Sequence, residues 1–182
     1  MIQNFVGKDV IITEKMDGEN TTIYSDGYIH ARSIDSGYHP SRTWVQNYAA
    51  GLSIPNGYRI CGENMYAMHS IQYENLHNYF LAFAVWYDDL CLDWDDAVDI
   101  LNKVGIHHVP IIYRGTYTNK VMHSIINSFD VDRSEGFVVR RDGSFKVDEF
   151  QYQVAKWVRP NHVQTSDHWM FQSIVKNNIK RG

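Results

Sequence analysis

The sequence predicts an α+β fold built from antiparallel sheets with helices packed against them. Short apolar runs rich in β-branched and aromatic residues recur along the chain, and Asp-Gly or Asn-Gly dipeptides separate several of them. A few other segments have the apolar spacing of amphipathic helices. Strands and helices do not alternate regularly, which argues against a doubly wound parallel sheet.

The predicted strands are apolar segments that end at turns or at charged residues. The first, residues 10–13 (VIIT), leads to Lys15, and Asp17-Gly18 then turns the chain into the next strand. Asp26-Gly27 is typical of a two-residue hairpin turn. In chain order, strands are predicted at residues 10–13, 21–25, 28–33, 58–63, 79–86, 109–113, 134–141 and 153–158, with a hairpin turn at Asp142-Gly143.

Four helices are predicted from their end residues and their apolar spacing. One starts at His39-Pro40-Ser41 and stops near Gly51. Asp93 is the expected N-cap of the next, which runs through Lys103 and is closed by Gly105. The other two are predicted at residues 119–129 and 169–179.

Length and composition fit one domain. The chain has 182 residues and is 44% apolar, enough for one sizeable core. We therefore assign residues 1–182 to a single domain, with residues 161–182 as a short C-terminal helical tail. No apolar stretch approaches the roughly 18 residues of a membrane span, and the first residues lack the pattern of a signal peptide. Cys61 and Cys91 sit apart inside apolar runs, as buried thiols of a reducing compartment do, so we expect a cytoplasmic protein.

The charge balance restricts how this chain could hold nucleic acid. The formal net charge is −4, and the sequence has no polybasic run. A stand-alone protein that binds nucleic acid by neutralising phosphates is usually basic overall. Any nucleic-acid contact here must use a local basic patch or the help of a partner protein.

Charged residues at strand ends carry the chemical prediction. Lysine becomes a nucleophile when desolvation or a neighbouring cation keeps its amine partly deprotonated, and a glycine beside it lets a ligand approach the backbone. Attack on a nucleotide α-phosphorus also needs cations for the developing charge and carboxylates for a divalent metal. A surface hairpin remains the alternative for the lysine motif taken alone. The charged residues at or near strand ends, or within a strand, are Lys15, Arg32, Glu63, Glu135 and Lys156.

These segments resemble, in order, the motifs of the covalent nucleotidyltransferases, a superfamily that contains DNA ligases, RNA ligases and mRNA capping enzymes. Residues 14–20 look most like the ATP-dependent RNA ligases of the phage type-two and editing-ligase group. The resemblance implies an ATP-grasp-like nucleotidyltransferase domain in which antiparallel sheets flank an ATP cleft. The matching segments are residues 14–20 (EKMDGEN), 31–33 (ARS), 62–64 (GEN), 135–138 (EGFV) and 155–158 (AKWV), with Phe83 in its apolar strand.

The resemblance implies a three-step ligation that uses ATP and Mg²⁺ or Mn²⁺. Lys15 would take AMP from ATP, the AMP would pass to an RNA 5′-phosphate, and a 3′-hydroxyl would displace it to seal the strand. Lys15, Glu135 and Lys156 would then be the catalytic residues. By the same resemblance, Glu63 would hold the ribose, Phe83 would stack on adenine, and the backbone at Glu14 would contact the edge of the adenine. Asp17 and Gly18 would complete the nucleotide site. Arg32 and Lys156 would hold phosphates, and Glu135 and Asn20 would bind the metal ion.

Two basic residues outside these positions are candidates for substrate binding. Arg42 follows a polar segment that is either a substrate loop or a plain connection. The last motif of the superfamily usually has two lysines one residue apart, whereas here Lys156 is followed by Trp157, Val158 and Arg159. Arg159 is the candidate for the second basic role.

Other activities of the same superfamily stay open. A DNA ligase would seal DNA ends, and a capping-type enzyme would use GTP. A non-catalytic nucleotide- or RNA-binding relative is a third alternative, against which the retained Lys15, Glu63, Glu135 and Lys156 count. A compact ligase of this kind would suit a phage or a bacterium, and a partner protein could deliver the RNA.

Overall fold

A computed structural model describes residues 2–32, 39–160 and 175–181, and two antiparallel sheets dominate it. The strands are β1 (Asp9–Lys15), β2 (Glu19–Tyr24), β3 (Ile29–Ala31), β4 (Tyr58–Asn64), β5 (Phe80–Tyr87), β6 (Leu90–Cys91), β7 (Ile111–Thr116), β8 (Gly136–Arg141), β9 (Phe145–Lys146) and β10 (Val154–Val158). The helices are α1 (Pro40–Ala50), α2 (Trp94–Val104), α3 (Asn119–Asn127) and the single turn α4 (Phe150–Gln153).

The first sheet has four strands in the order β10-β8-β1-β7, all antiparallel. Its central strand β1 is the most apolar, with Val10, Ile11 and Ile12 fully buried. One face of the sheet packs on α3 through Met122 and Ile125. Because successive side chains of a strand alternate between faces, the opposite face is left for polar residues.

The second sheet has six strands in the order β3-β2-β4-β5-β6-β9. Its outer face packs on α1 and α2, whose Val45 and Leu101 join the same core as Ile23, Ile60 and Val85 of the strands. Both sheets therefore have one face covered by helices. Their uncovered faces look toward each other across a cleft.

Several local predictions are confirmed by the backbone. The side chain of His39 accepts a hydrogen bond from Ser41 N and caps α1, and Asp93 caps α2 through Asp96 N. Gly105 ends α2 with φ of 87°, a left-handed conformation that glycine adopts without strain. The hairpin at Asp26-Gly27 joins β2 to β3 as expected. No helix among the described residues is long and apolar enough to cross a membrane.

Asp142-Gly143 is not a hairpin turn, contrary to the sequence prediction. The next strand, β9, does not return along β8 but pairs with β6 in the other sheet. Asp142 O accepts a hydrogen bond from Trp94 N at the start of α2, and Asp142 also holds Arg114 at 2.8 Å. These contacts direct the chain across from one sheet to the other.

The predicted helix at residues 169–179 is wrong over the part that the structure describes. Residues 175–181 are extended and form bridges to Ala67 and Leu76. The buried amide of Asn177 donates to Met65 O at 2.8 Å and accepts from Tyr73 N at 2.9 Å. The backbone N–H groups of Asn177, Asn178 and Lys180 also donate to carbonyl oxygens of the loop 65–78, which takes the place of the partners that a helix would provide. Residues 169–174 lie outside the described residues.

Candidate active site

The uncovered faces of the two sheets enclose a cleft of about 1050 Å³. That volume lies at the upper end of the range for small-molecule sites. Ten of the residues predicted for the site line it: Glu14, Lys15, Asp17, Gly18, Asn20, Arg32, Glu63, Phe83, Glu135 and Lys156.

Lys15 and Glu135 form an ion pair inside the cleft. Lys15 is the last residue of β1 and lies opposite Gly136, the first residue of β8, so the register brings Glu135 beside it. Lys15 Nζ lies 2.7 Å from Glu135 Oε1, with the lysine side chain 23% exposed and the glutamate 3% exposed. The amine is therefore held in one place and still faces the cleft.

The loop 65–78 anchors the turn that follows Lys15. Asp17 Oδ2 accepts hydrogen bonds from Ser70 N at 2.8 Å, Ser70 Oγ at 2.5 Å and Ile71 N at 3.2 Å. Asp17 N donates to the Tyr73 hydroxyl at 3.0 Å, and burial raises the pKa of that hydroxyl. Although Asp17 lines the cleft, its carboxylate is thus engaged in fixing the turn.

Gly18 lies where the turn passes close to the end of β4, and there is no room for a side chain at that position. A Cβ on it would lie 2.6 Å from Asn64 O and 2.7 Å from Met65 Sδ, closer than real Cβ contacts come. Gly18 N donates to Glu63 Oε1 at 3.2 Å. Burial raises the pKa of Glu63 to about 8, an effect that nearby Lys15 partly opposes. At neutral pH this carboxyl therefore retains its proton in most molecules.

A β-bulge aims Phe83 into the cleft. Cys61 of β4 pairs with Ala84 and Gly62 pairs with Ala82, so Phe83 is passed over in the register. Phe83 and Ala84 consequently both line the cleft, which regular alternation would not allow. Val138 lines it from the other sheet. A phenyl ring and a branched apolar side chain from opposite sheets suit a flat aromatic base.

Polar and cationic residues also line the cleft. Asn20 pairs with Glu63 across β2 and β4, so their side chains share the cleft face. Arg32 follows β3 and is exposed, and Lys156 is exposed on β10 opposite Val138. The burial of Glu14, at the other side of Lys15, raises the pKa of its carboxyl.

The structure does not bring Arg42 or Arg159 into the lining of the cleft. Arg42 Nε lies 3.1 Å from Glu19 Oε1 behind β2, where both side chains are largely buried. Arg159 donates to Val131 O from its guanidinium. The second lysine of the motif would stand at position 158, which is valine in this chain. Because side chains alternate along a strand, Val158 lies on the same face of β10 as Lys156.

Sequence reasoning missed other residues of the cleft, namely Arg59, Cys61, His69, Trp86 and Arg140. Cys61 was expected to be a buried thiol, yet it is partly exposed and lines the cleft. Alternation from Glu63 and Val138 would have indicated Cys61, Arg59 and Arg140. His69 lies in the loop 65–78, which has no periodic pattern to place it.

The residues present fit a divalent cation held jointly with a nucleotide. Within the part of the chain that the structure describes, no group of three or more His, Cys, Asp or Glu side chains is arranged for a metal. Mg²⁺ commonly takes one or two protein carboxylates together with substrate phosphates. Glu135 and Asn20 offer hard oxygen donors on the lining of the cleft, which suits that mode.

This fold is that of the nucleotidyltransferase domain of ligases. The chain belongs to the RNA ligase family, whose profile matches residues 8–158. No curated protein sequence matches it.

Solved structures of ligases share the fold. A putative ATP-dependent DNA ligase from Aquifex aeolicus is 19% identical, with a TM-score of 0.55 over 86% of this chain and 45% of that chain. A lysine-to-alanine variant of Naegleria gruberi RNA ligase in its apo form is 25% identical, with a TM-score of 0.50 over 80% and 50%. A glutamate-to-alanine variant of the Naegleria enzyme with AMP and Mn is 22% identical, with a TM-score of 0.51 over 80% and 51%. The chain spans about half the length of these structures.

Proposed function

We propose that this protein is an ATP-dependent RNA ligase that forms a covalent lysyl-AMP on Lys15. The observation that carries the proposal is the position of Lys15 Nζ, held at 2.7 Å by Glu135 and facing a cleft large enough for a nucleotide. Membership of the RNA ligase family supports RNA as the polynucleotide.

In the first step the Lys15 amine attacks the α-phosphorus of ATP. A nitrogen–phosphorus bond forms, the bond from that phosphorus to the bridging oxygen breaks, and pyrophosphate leaves with the electron pair. The ammonium must first lose a proton, and Glu135 Oε1 is within hydrogen-bond reach to accept it. Arg32 and Lys156 are placed to stabilise the phosphates as charge develops on them.

The remaining lining residues hold the nucleoside. Phe83 and Val138 enclose the base between the sheets, and the backbone at Glu14 contacts its edge. Protonated Glu63 both donates and accepts hydrogen bonds, so it pairs with ribose hydroxyls without placing a full negative charge beside the phosphates. Stacking on an aromatic ring is worth roughly 1–3 kcal/mol per base.

Glu135 and Asn20 would hold Mg²⁺ or Mn²⁺ together with the phosphates. The bound cation supplies electrostatic stabilisation of phosphate charge. The solved Naegleria RNA ligase with AMP and Mn supports this cofactor choice.

The later steps use the same cleft. The AMP passes to an RNA 5′-phosphate with release of the Lys15 amine, and a 3′-hydroxyl then attacks that phosphate and expels AMP. Family membership supports RNA ends over DNA ends, and ligation of matched RNA and DNA substrates separates the two.

The deciding experiment is incubation of the purified protein with α-labelled ATP and Mg²⁺ or Mn²⁺, followed by denaturing electrophoresis. We expect label on the wild type and none on Lys15→Ala. Lys120→Ala is the matched control, because Lys120 is an exposed lysine on α3, behind the four-stranded sheet.

Three other labelling results would each contradict part of the proposal. Label from GTP in place of ATP would move the protein to the capping type. Absence of label with every nucleotide, in a protein shown to be folded, would refute the enzyme and leave a binding relative. Label that persists in Lys15→Ala would refute Lys15 as the nucleophile.

A further inference from the structure

The cleft face of the second sheet continues outward beyond the cleft as a polar and aromatic surface. We call this surface the hairpin ledge and define it by Tyr24, Tyr28, His30 and Arg32. Tyr28 is 62% exposed, and His30 and Arg32 are exposed as well. Arg32 belongs both to the ledge and to the lining of the cleft, so the two surfaces are continuous.

The strand register places these residues on one face. Tyr24 pairs with Arg59, and Asn20 pairs with Glu63, so Tyr24 shares the face of three residues that line the cleft. His30 pairs with Thr22 of the same face. Tyr28 and Arg32 lie two residues to either side of His30, which keeps them on that face.

The aromatic rings of the ledge are not needed for the core. Ile23 and Ile29, on the opposite face of the hairpin, make its contacts with the main core. Tyr24 and Tyr28 instead contact each other, with ring centroids 5.6 Å apart and planes tilted by 50°. A largely exposed ring next to a second ring is the usual platform on which an unpaired base stacks.

The face of the second sheet that carries the ledge has more basic than acidic strand residues, in contrast to the whole chain. Arg32 and Arg59 lie on this face, and among its described strand residues Glu63 is the one carboxylic acid. Asp26 lies in the hairpin turn, where its side chain accepts a hydrogen bond from Tyr28 N at 3.0 Å. A protein of net charge −4 therefore has a local patch suited to phosphates, beside the cleft.

We propose that the hairpin ledge is the docking surface for the single-stranded segment of the polynucleotide substrate that leads into the cleft. This inference rests on the proposed function and adds the location of the substrate strand. One base stacks on Tyr28, and the backbone follows His30 and Arg32 over roughly 13 Å toward the Lys15 end of the cleft. These contacts are made to the phosphates and to the flat faces of the bases, so they do not depend on the base sequence.

The test measures binding of a 5′-phosphorylated, fluorescein-labelled RNA of about ten nucleotides by fluorescence anisotropy, within the site sizes known for single-strand binders. Tyr28→Ala should raise the Kd about 5- to 150-fold, the range that corresponds to loss of one stacked base. Tyr28→Phe keeps the ring and should stay within about twofold of the wild type. Tyr152→Ala is the matched control, because Tyr152 is 61% exposed on α4 and does not line the cleft.

Lysyl-AMP formation is measured on the same proteins. Tyr28→Ala should label with ATP at the wild-type rate and transfer AMP to RNA more slowly at subsaturating RNA. An equal loss of affinity for a single-stranded DNA of the same length also supports the ledge, since stacking does not require the 2′-hydroxyl.

Failures of the two proposals are distinguishable. An RNA Kd for Tyr28→Ala within twofold of the wild type, or an equal loss for Tyr152→Ala, would overturn the ledge and leave lysyl-AMP formation standing. A wild type that never labels but binds RNA through Tyr28 would refute the ligase and retain the ledge.

Discussion

Two glutamates that line the cleft each hold a basic side chain, Lys15 of β1 in one pair and Arg42 of α1 in the other. Glu135 lies 2.7 Å from Lys15, whose side chain is 23% exposed. Glu19 lies 3.1 Å from Arg42, whose side chain is 14% exposed. The pairs are similar in chemistry and in carboxylate burial, yet one faces open space and the other joins α1 to β2.

The difference between these pairs shows how the face of a strand decides the role of a charge. Glu19 is the first residue of β2 and shares its face with Ile23, on which α1 packs. Arg42 on α1 meets it there, so this pair fastens a helix to the sheet. Lys15 ends β1 on the uncovered side, so its pair faces the cleft. Breaking the first should affect stability, and breaking the second should affect chemistry.

The largest expected effect is on catalysis. Glu135→Gln keeps the shape of the side chain but removes the charge that holds Lys15 Nζ and that accepts its proton in the proposed first step. The rate of lysyl-AMP formation should fall about 100-fold or more, as for loss of a general base or a key electrostatic group. The melting temperature should change little. A large drop in melting temperature with a normal rate in the remaining folded protein would reverse the assignment of the two pairs.

The next effect is on stability. Arg42→Met removes the cation from a largely buried pair and should lower the free energy of unfolding by about 3 kcal/mol, measured by urea denaturation. A Glu19→Met, Arg42→Met double variant should recover much of that loss, because neither charge of the pair is then buried without its partner. The folded fraction of either variant should label with ATP near the wild-type rate. A normal stability together with weak RNA binding would restore Arg42 as a substrate contact.

A third glutamate gives a pH-dependent effect. Folded Glu63 keeps its proton up to about pH 8, whereas its ordinary pKa is 4.5. The folded state therefore binds the proton more tightly, and the resulting stability is full below about pH 4.5 and is lost as pH rises toward 8. Glu63→Gln should flatten the decline of melting temperature between pH 5 and pH 8. An unchanged slope would show that the Glu63 carboxyl titrates as it does in the unfolded chain.

The smallest effect is expected for Arg159→Ala. The side chain is directed to Val131 O and lies outside the lining of the cleft, so lysyl-AMP formation should stay within about twofold of the wild type, as for substitutions away from a site. Lys156→Ala, on the cleft face, should slow it much more. Equal losses in the two variants would give Arg159 the second basic role of the motif.

The sequence predicted the parts of the fold that depend on local chemistry. Turn dipeptides located the β2–β3 hairpin, and Asp93 and Gly105 located the ends of α2. Ten of the residues predicted from motif order line one cleft, because strand ends from both sheets converge there. The prediction of Arg42 as a phosphate contact was not supported by its position, since sequence does not tell which face of β2 the helix α1 covers.

Long-range contacts account for the other differences. The path from β8 into β9 depends on Asp142 meeting α2 and Arg114, which are distant in sequence. The tail at residues 175–181 is extended because loop 65–78 offers it backbone partners, and apolar spacing in the tail alone favours a helix. The bulge that turns Phe83 into the cleft is likewise a property of the pairing of two strands.

The hydrogen bonds of Asn177 to loop 65–78 also affect when the turn after Lys15 can become fully ordered during translation. Lys15 and its turn leave the ribosome before the loop that clamps Asp17. The amide that ties this loop to Met65 and Tyr73 belongs to Asn177, which follows all ten described strands in the chain. Strand β1 can therefore pair only after β7 and β8 have been released, and the turn that follows it reaches its final rigidity only when residues 175–181 are also available.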